Sequence, residues 1–419
     1  MNNLNQTPNS ARLQIAIFGR CNAGKSSLIN ALTGQAVALV SDVPGTTTDP
    51  VFKAMELLPL GPVTLIDTAG LDDEGELGEL RKERTYQILN RTDLAVLVID
   101  GTVGPAGFEE ELLRAIRAKN LPVVGVINKR DVAAYTREER LEWERRLQLE
   151  LVEVAAAGGV GIRDLKTALI RFAPADDAEL FLTGDLVGPG DLAVLVVPID
   201  KAAPKGRLIL PQQQVIRDLL ERDAIVVVTK EHELRATLES LGRRPALVIT
   251  DSQVFLKVAA DTPPGIPLTS FSILFARYKG NLRELAQGAM AVAGLRPGDR
   301  VLIAEGCTHH RQSDDIGTVK IPRWLRQLVG GELEFEWASG LSLPTCLGRY
   351  RLIVHCGACM LNHKEMLYRL SLAREQGVPM VNYGVLIAYV QGILPRVLEP
   401  FPEVRDLLET GAMAKASGG

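Results

Sequence analysis

Cysteine, net charge and long apolar runs are all scarce in this sequence, and each shortage excludes a class of protein. Five cysteines form an odd set with no disulfide-framework spacing, which argues against a cystine-stapled secreted fold and for a reduced compartment. No apolar run reaches membrane length and the start has no leader-like pattern, so no membrane partner is expected and the expected location is cytoplasmic. Lys and Arg total 47 against 51 Asp and Glu, a formal net charge of −4, so the chain lacks the field of a nucleic-acid binder and no nucleic-acid partner is expected. The remainder is ordinary globular composition, 46% hydrophobic and 23% charged, and 419 residues are enough for several domains, each with its own core.

Residues 13–18 read as a buried strand running into Gly19-Arg20-Cys21-Asn22-Ala23-Gly24-Lys25-Ser26, with a helical pattern over 27–32. This is the GxxxxGK[ST] phosphate loop in the context it requires, strand before and helix after. Backbone N–H groups from Asn22 through Ser27 and the helix N-terminus are placed to hold phosphates, Lys25 to reach the outer ones and Ser26 to bind Mg²⁺. Asp67-Thr68-Ala69-Gly70 follows the apolar run 63–66. Asp67 can hold Mg²⁺ through water and the Gly70 N–H can meet a γ-phosphate, which makes Lys25, Asp67 and Gly70 the catalytic candidates. Asn128-Lys129-Arg130-Asp131 follows the strand pattern 123–127. A carboxylate at Asp131 can accept two N–H bonds from guanine, and adenine offers no such pair. These motifs in this order specify a GTP-binding domain.

The stretch 13–172 resembles the TrmE–Era group of GTPases. By that resemblance Asn22 helps bind K⁺, and Asp42-Val43-Pro44-Gly45-Thr46-Thr47 is a switch whose Asp42, Gly45 and Thr46 border the nucleotide while Thr47 is a second Mg²⁺ ligand. One more absence matters here. Leu71 stands where other GTPases keep a water-orienting glutamine, so hydrolysis is expected to be slow or to borrow charge from K⁺ and a partner. Ala155 replaces the usual serine of the last motif, leaving backbone contacts from Ala155 and Ala156. The acids Asp72, Asp73, Glu74, Glu76 and Glu79 read as a solvated segment. The charged helix 136–147 reads as a solvated face, because its acids match its bases.

Glycine and proline over 174–190 mark a boundary. Apolar runs near 192, 224 and 246 then alternate with helical patterns, giving a small α/β unit with no catalytic constellation, read as a dimerisation domain. His232 within it reads as a surface residue.

After Thr262-Pro263-Pro264-Gly265 the alternation resumes, with strands expected near 301, 333, 352 and 379 and helices at 322–328 and 364–375, a doubly wound parallel sheet. Two of its strands run into cysteine. The run 301–304 ends before Cys307-Thr308-His309-His310, and 351–354 ends in His355-Cys356-Gly357-Ala358-Cys359. Cysteines three apart can put both sulfurs on one soft metal or one iron–sulfur cluster, and ligands in such sheets collect outside the carboxyl ends of strands. Cys307, His309, Cys356 and Cys359 are therefore the metal candidates. Cys346 reads as a buried small side chain, and His310 and His363 as polar surface residues.

The composite, Cys307-Thr308-His309, then 45 residues, then His355-Cys356-Gly357-Ala358-Cys359, resembles the signature of the HydF family, scaffold GTPases of [FeFe]-hydrogenase maturation. The resemblance covers the whole chain. It implies three α/β domains: a P-loop GTPase over 1–175, a dimerisation domain over 185–265 and a doubly wound iron–sulfur domain over 266–400, with a tail over 401–419. It also implies a [4Fe–4S] cluster on Cys307, Cys356 and Cys359, with His309 ahead of His355 as the candidate for a labile fourth ligand. The cofactors implied are GTP, Mg²⁺, K⁺, the cluster and a transient di-iron subcluster precursor. The partners implied are apo-[FeFe]-hydrogenase, the radical-SAM maturases HydE and HydG, and a second copy of the chain. Two rival readings start from the same residues: an RNA- or ribosome-associated GTPase with a structural zinc, and a GTPase whose CxxC senses redox state.

Overall fold

The computed structural model describes residues 7–34, 50–68, 84–174, 181–199, 208–306, 315–340, 343–344 and 346–408. The chain divides into two compact units, Met1–Ala178 and Glu179–Gly419.

The first unit is a six-stranded sheet in the order β2-β3-β1-β4-β5-β6. Its strands are β1 (Leu13–Gly19), β2 (Val51–Leu57), β3 (Gly61–Asp67), β4 (Leu94–Asp100), β5 (Val123–Asn128) and β6 (Leu151–Glu153). Only the edge strand β2 runs antiparallel. Alternation along β1 sends Ile15 and Ile17 to one face and Ala16 and Phe18 to the other. Helices α1 (Lys25–Thr33) and α4 (Ile162–Phe172) cover the first face with Leu28, Ile29, Leu165 and Leu169. On the second lie α2 (Gly107–Ala118), α3 (Arg137–Leu147) and the helical stretch 84–89, which contributes Ile88 and Leu89. A sheet covered on both faces needs near-continuous apolar strands, which is why these strands read as unbroken runs. Because α1 follows β1 on one face and 84–89 follows β3 on the other, a crevice opens where β1 and β3 end. Helix α3 starts at a reciprocal cap, Thr136 Oγ1 accepting from the Glu139 N–H at 3.2 Å and Thr136 N–H donating to Glu139 Oε2 at 2.7 Å.

The second unit contains two four-stranded parallel sheets around one continuous apolar core. The first sheet has the order β10-β9-β7-β8, from β7 (Leu192–Val196), β8 (Ile225–Thr229), β9 (Leu247–Thr250) and β10 (Leu268–Ser270). Its helices are α5 (Leu210–Glu221), α6 (Leu234–Ser240) and α7 (Phe255–Asp261). Strand β10 follows the Pro263-Pro264 break yet pairs with β9; its three residues are too few to carry a readable pattern.

Two helices come next, α8 (Phe271–Lys279) and α9 (Leu282–Met290), started by Ser270 and Asn281 side chains that accept from the Ile273 and Glu284 N–H groups. The second sheet has the order β12-β11-β13-β14, from β11 (Arg300–Glu305), β12 (Glu334–Ser339), β13 (Leu352–His355) and β14 (Met380–Asn382). Its helices are α10 (Ile321–Val329), α11 (His363–Glu375), α12 (Tyr383–Val390) and α13 (Leu394–Val397). From β11 the chain crosses to β12 on one side, and from β13 to β14 on the other. The doubly wound sheet expected from the sequence is present, and its switch point lies between β11 and β13, the two strands that run into cysteine. Among the described residues no helix is long and apolar enough to cross a membrane.

Candidate functional site

At the end of β1 the loop turns through Asn22 at φ 59° and Gly24 at φ 87° before α1 begins at Lys25. Gly24 is required twice over, by its left-handed φ and because a Cβ there would collide with Asn128 Nδ2. Lys25 is buried, and its Nζ donates to Gly19 O at 2.9 Å and Arg20 O at 2.6 Å, so the ammonium braces its own loop. Ser26 Oγ donates to Asp67 Oδ2 at 2.6 Å, joining the ends of β1 and β3 at the pair that could hold a divalent cation. Burial pushes the Asp67 carboxyl above the usual range, against the pull of Ser26, Lys25 and Lys53. Lys53 of β2 stands opposite Leu65 of β3, diagonal to Asp67 on the same face, and its buried Nζ has no hydrogen-bond partner among the described residues. Burial lowers its pKa while the Asp67 carboxylate opposes that shift.

The other wall comes from β5. Asn128 is buried; its Nδ2 donates to Ala23 O at 2.9 Å and its Oδ1 accepts from Ala156 N at 3.1 Å. It therefore ties the phosphate loop to the last motif. Lys129, at φ 63°, donates to Asp100 Oδ2 at 2.6 Å, and the bonds from Lys129 and Thr102 hold the Asp100 carboxyl low against the opposing effect of burial. Asp131 is exposed and makes no hydrogen bond or ion pair in the described structure, which leaves its carboxylate open to a ligand. The Ala155 N–H is taken by Val160 O at 3.1 Å. Asp42, Gly45, Thr46, Thr47, Gly70, Leu71 and the acids that follow lie outside the described residues.

One contact escaped the sequence reading. Arg20 of the phosphate loop pairs with Glu109 of α2 through one guanidinium edge, Nε to Oε1 at 2.7 Å and Nη2 to Oε2 at 2.9 Å, and Glu109 is 1% exposed. Glu109 also accepts from the Ala106 N–H, capping its own helix. A residue in a variable loop position and one in a helix 89 positions on carry no local signal of pairing.

In the second unit the ends of β11 and β13 are adjacent, Ala304 standing opposite His355. The Gly306 N–H reaches Cys356 Sγ at 3.2 Å, so the residue before Cys307 touches the first thiol of the CxxC turn. The turn passes through Ala358 at φ 56°, a left-handed alanine costing about 1 kcal/mol whose methyl is packed into the core. Burial pushes the Cys356 thiol up, while N–H bonds from Gly306 and Ala358 and the charge of Arg369 favour the thiolate. From outside the turn, Lys279 at the end of α8 donates to Cys359 O at 3.2 Å and Leu361 O at 2.6 Å.

His355 is fully buried. Arg369 Nη1 lies 3.0 Å from its Nε2 and can only donate, so Nε2 accepts and the proton sits on Nδ1, 2.9 Å from Cys356 O. Burial and the Arg369 charge push its pKa down to about 3. Neither nitrogen is left for a metal in this arrangement, so His355 positions the turn. Arg369 also donates to Glu365 Oε1 of its own helix at 3.0 Å and to Gly340 O at 2.7 Å, tying α11 to the ends of β12 and β13. Two expectations are corrected here. His363 is no surface residue: half-buried at the start of α11, its Nδ1 meets Lys279 O at 3.1 Å, and burial lowers its pKa. Cys346 is exposed rather than buried. Glu305 is buried and accepts from the Tyr383 hydroxyl at 3.0 Å, while Asn382 caps α12 and reaches Ser272 O of α8 at 2.9 Å.

Among the described residues no three His, Cys, Asp or Glu side chains converge as a metal site, and Cys307 and His309 lie outside those residues. The donor chemistry still fits an iron–sulfur cluster: two thiols on a tight turn, N–H groups on sulfur, and a buried cation behind.

Comparison with known proteins bears on both sites. A family model described as a 50S ribosome-binding GTPase matches residues 14–129. The hydrogen maturase F dimerization domain matches 182–280 and the hydrogen maturase F tetramerization domain 283–400, together more than half of the chain. The chain belongs to the HydF family. Its first unit is a GTPase domain, and its second carries the domains by which HydF proteins self-associate. The stretch expected to hold a cluster is thus also the stretch matched for tetramerisation.

The curated relatives are GTPases that match part of the chain. GTPase Der of Kosmotoga olearia is 33% identical over 179 residues, 40% of this chain and 40% of that protein. The tRNA modification GTPase MnmE of Nitrosomonas europaea is 36% identical over 162 residues, 38% of this chain and 35% of that protein. The chain thus spans well under half the length of these relatives. Among solved structures, Aquifex aeolicus Era bound to GDP·AlF4⁻ is 22% identical with a TM-score of 0.37, covering 51% of this chain and 91% of that one.

Proposed function

We propose that this HydF-family protein hydrolyses GTP in its first unit and carries a [4Fe–4S] cluster in its second, as a cytoplasmic scaffold for [FeFe]-hydrogenase maturation. The observation that carries the reading is the Gly306 N–H on Cys356 Sγ, which puts the residue before Cys307 against the CxxC turn at the switch point. Cys307, Cys356 and Cys359 hold three corners of the cluster, and a weaker ligand, His309 the candidate, holds the fourth. A corner held weakly can accept cargo and let it go. The cargo is the di-iron subcluster precursor, received from HydE and HydG and passed to apo-hydrogenase.

In the first unit Lys25, Gly24 and the neighbouring N–H groups bind the phosphates, and Ser26 and Thr47 ligate Mg²⁺ with Asp67 behind. The Gly70 N–H meets the γ-phosphate, and Asn22 supports a K⁺ that offsets transition-state charge in place of the missing glutamine. Asp131 selects guanine. Self-association uses the outer edge of β8, where Ile225 and Val228 are 48% and 46% exposed on a strand paired on one side alone among the described residues.

The test is anaerobic reconstitution of the full chain with iron and sulfide, followed by metal and sulfide analysis and activation of apo-hydrogenase. The expected product is a brown protein whose cluster is lost in Cys356→Ser while GTP turnover persists. A colourless zinc protein, or a Cys356→Ser variant that activates hydrogenase at the wild-type rate, overturns the scaffold reading.

A further inference from the structure

Among the described residues of the second unit two cations are buried, Lys279 and Arg369. They are treated differently. Arg369 is neutralised by Glu365 at 3.0 Å. Lys279, 1% exposed, has no carboxylate within ion-pair distance among the described residues. Two of its protons go to Cys359 O and Leu361 O, and the ammonium lies 5.6 Å from the centroid of the Phe275 ring. Carbonyl oxygens satisfy its donors and leave its charge uncompensated. A net charge held in a low-dielectric interior is costly, and a side chain of similar volume such as methionine would fill the space without that cost.

Three thiolates outweigh the dicationic core of an oxidised [4Fe–4S] cluster, so the bound group is anionic and becomes more so on reduction. We propose that Lys279 is the built-in counter-ion of the cluster, an ammonium fixed behind Cys359 that offsets the charge the cluster brings and favours its reduced state. The inference rests on the scaffold reading above and assigns a residue that lies outside the cysteine signature. Lys279 is the last residue of α8, within the stretch matched as the dimerization domain, so the counter-ion is supplied by a segment separate from the thiols.

The experiment compares the full-length wild type with Lys279→Met and Lys279→Gln. Each is reconstituted anaerobically with iron and sulfide, titrated redox-wise with the reduced cluster followed by electron paramagnetic resonance, and unfolded in urea in its metal-free form. Glutamine retains an N–H donor for the carbonyls and lacks the charge; methionine lacks both. Both variants are expected to shift the midpoint potential to more negative values and to lose iron faster to a chelator. The urea midpoint of metal-free Lys279→Met is expected to equal or exceed that of wild type. A potential unchanged in both variants overturns the counter-ion role. So does a metal-free Lys279→Met that unfolds at lower urea, since that is the behaviour of a mere brace. Loss of the cluster in both variants with the metal-free proteins still folded supports it. A wild-type chain that takes up no iron and sulfide overturns the scaffold reading itself, an outcome visible before any variant is made.

Discussion

The phosphate loop takes its lysine from its own sequence, whereas the cysteine loop takes one from a helix that ends 80 residues earlier. Otherwise the two are alike. Each leaves the end of a buried parallel strand, and each turns through a non-glycine residue of left-handed φ, Asn22 at 59° and Ala358 at 56°. Each is braced by an ammonium on two loop carbonyls. The difference is one of locality. The phosphate loop carries its lysine within the eight residues from Gly19 to Ser26, while its bonds to Asp67, Glu109 and Asn128 reach farther along the chain. The cysteine loop needs α8, β11, β13 and α11 packed together before its thiols, carbonyls and histidine tautomer are set.

The largest expected effect separates the two loops outright. Lys25→Ala should slow GTP hydrolysis at least ~100-fold, because a cation at the reacting phosphates is lost, while iron content after reconstitution stays at the wild-type level. Loss of iron in that variant would mean that the loops are not independent. Next in size, Asp131→Asn should weaken GTP binding about 100-fold by removing a charged acceptor of two N–H bonds, and xanthosine triphosphate should recover it. A competition titration with both nucleotides reads this.

The buried charges sharpen the contrast. Glu365→Gln leaves Arg369 without its carboxylate, so the second unit should lose about 3 kcal/mol of stability in urea. Lys279→Met, which removes a charge that has no carboxylate, should show no such loss. If both variants lost stability alike, the distinction between a paired and an unpaired cation would fail. The smallest effect is ionic: turnover should be faster in K⁺ than in Na⁺ at equal ionic strength, and Asn22→Ala should abolish the difference.

Locality also decided what could be read from the sequence. The GTPase motifs were legible because each sits at the end of a strand buried on both faces, and such strands print as unbroken apolar runs around β1, β3 and β5. The CxxC turn was legible for the same reason, following β13. The residues that shape that turn were not. Lys279 and Arg369 lie in helices where a charged residue normally faces water, and only their distant partners reveal that they are inside. His363 misled in the same way. Cys346 misled in the opposite sense, because its apolar neighbours Leu343 and Pro344 suggested burial. Strand β10, three residues long, has no period to read, and its membership of the first sheet of its unit depends on β9 lying beside it.

The continuous core of the second unit bears on how such a chain can be recombined. Side chains from Leu182 to Val404 belong to one apolar cluster, with β10, α8 and α9 running from one sheet into the other. A cut at the proline break would strip β10 from its sheet, and a cut between the two matched segments, after residue 280, would part α8, and Lys279 with it, from the cysteine turn. The seam at which gene fusion or domain exchange can operate therefore lies near residue 178, between the two units. The two maturase segments beyond it have to be inherited as one block.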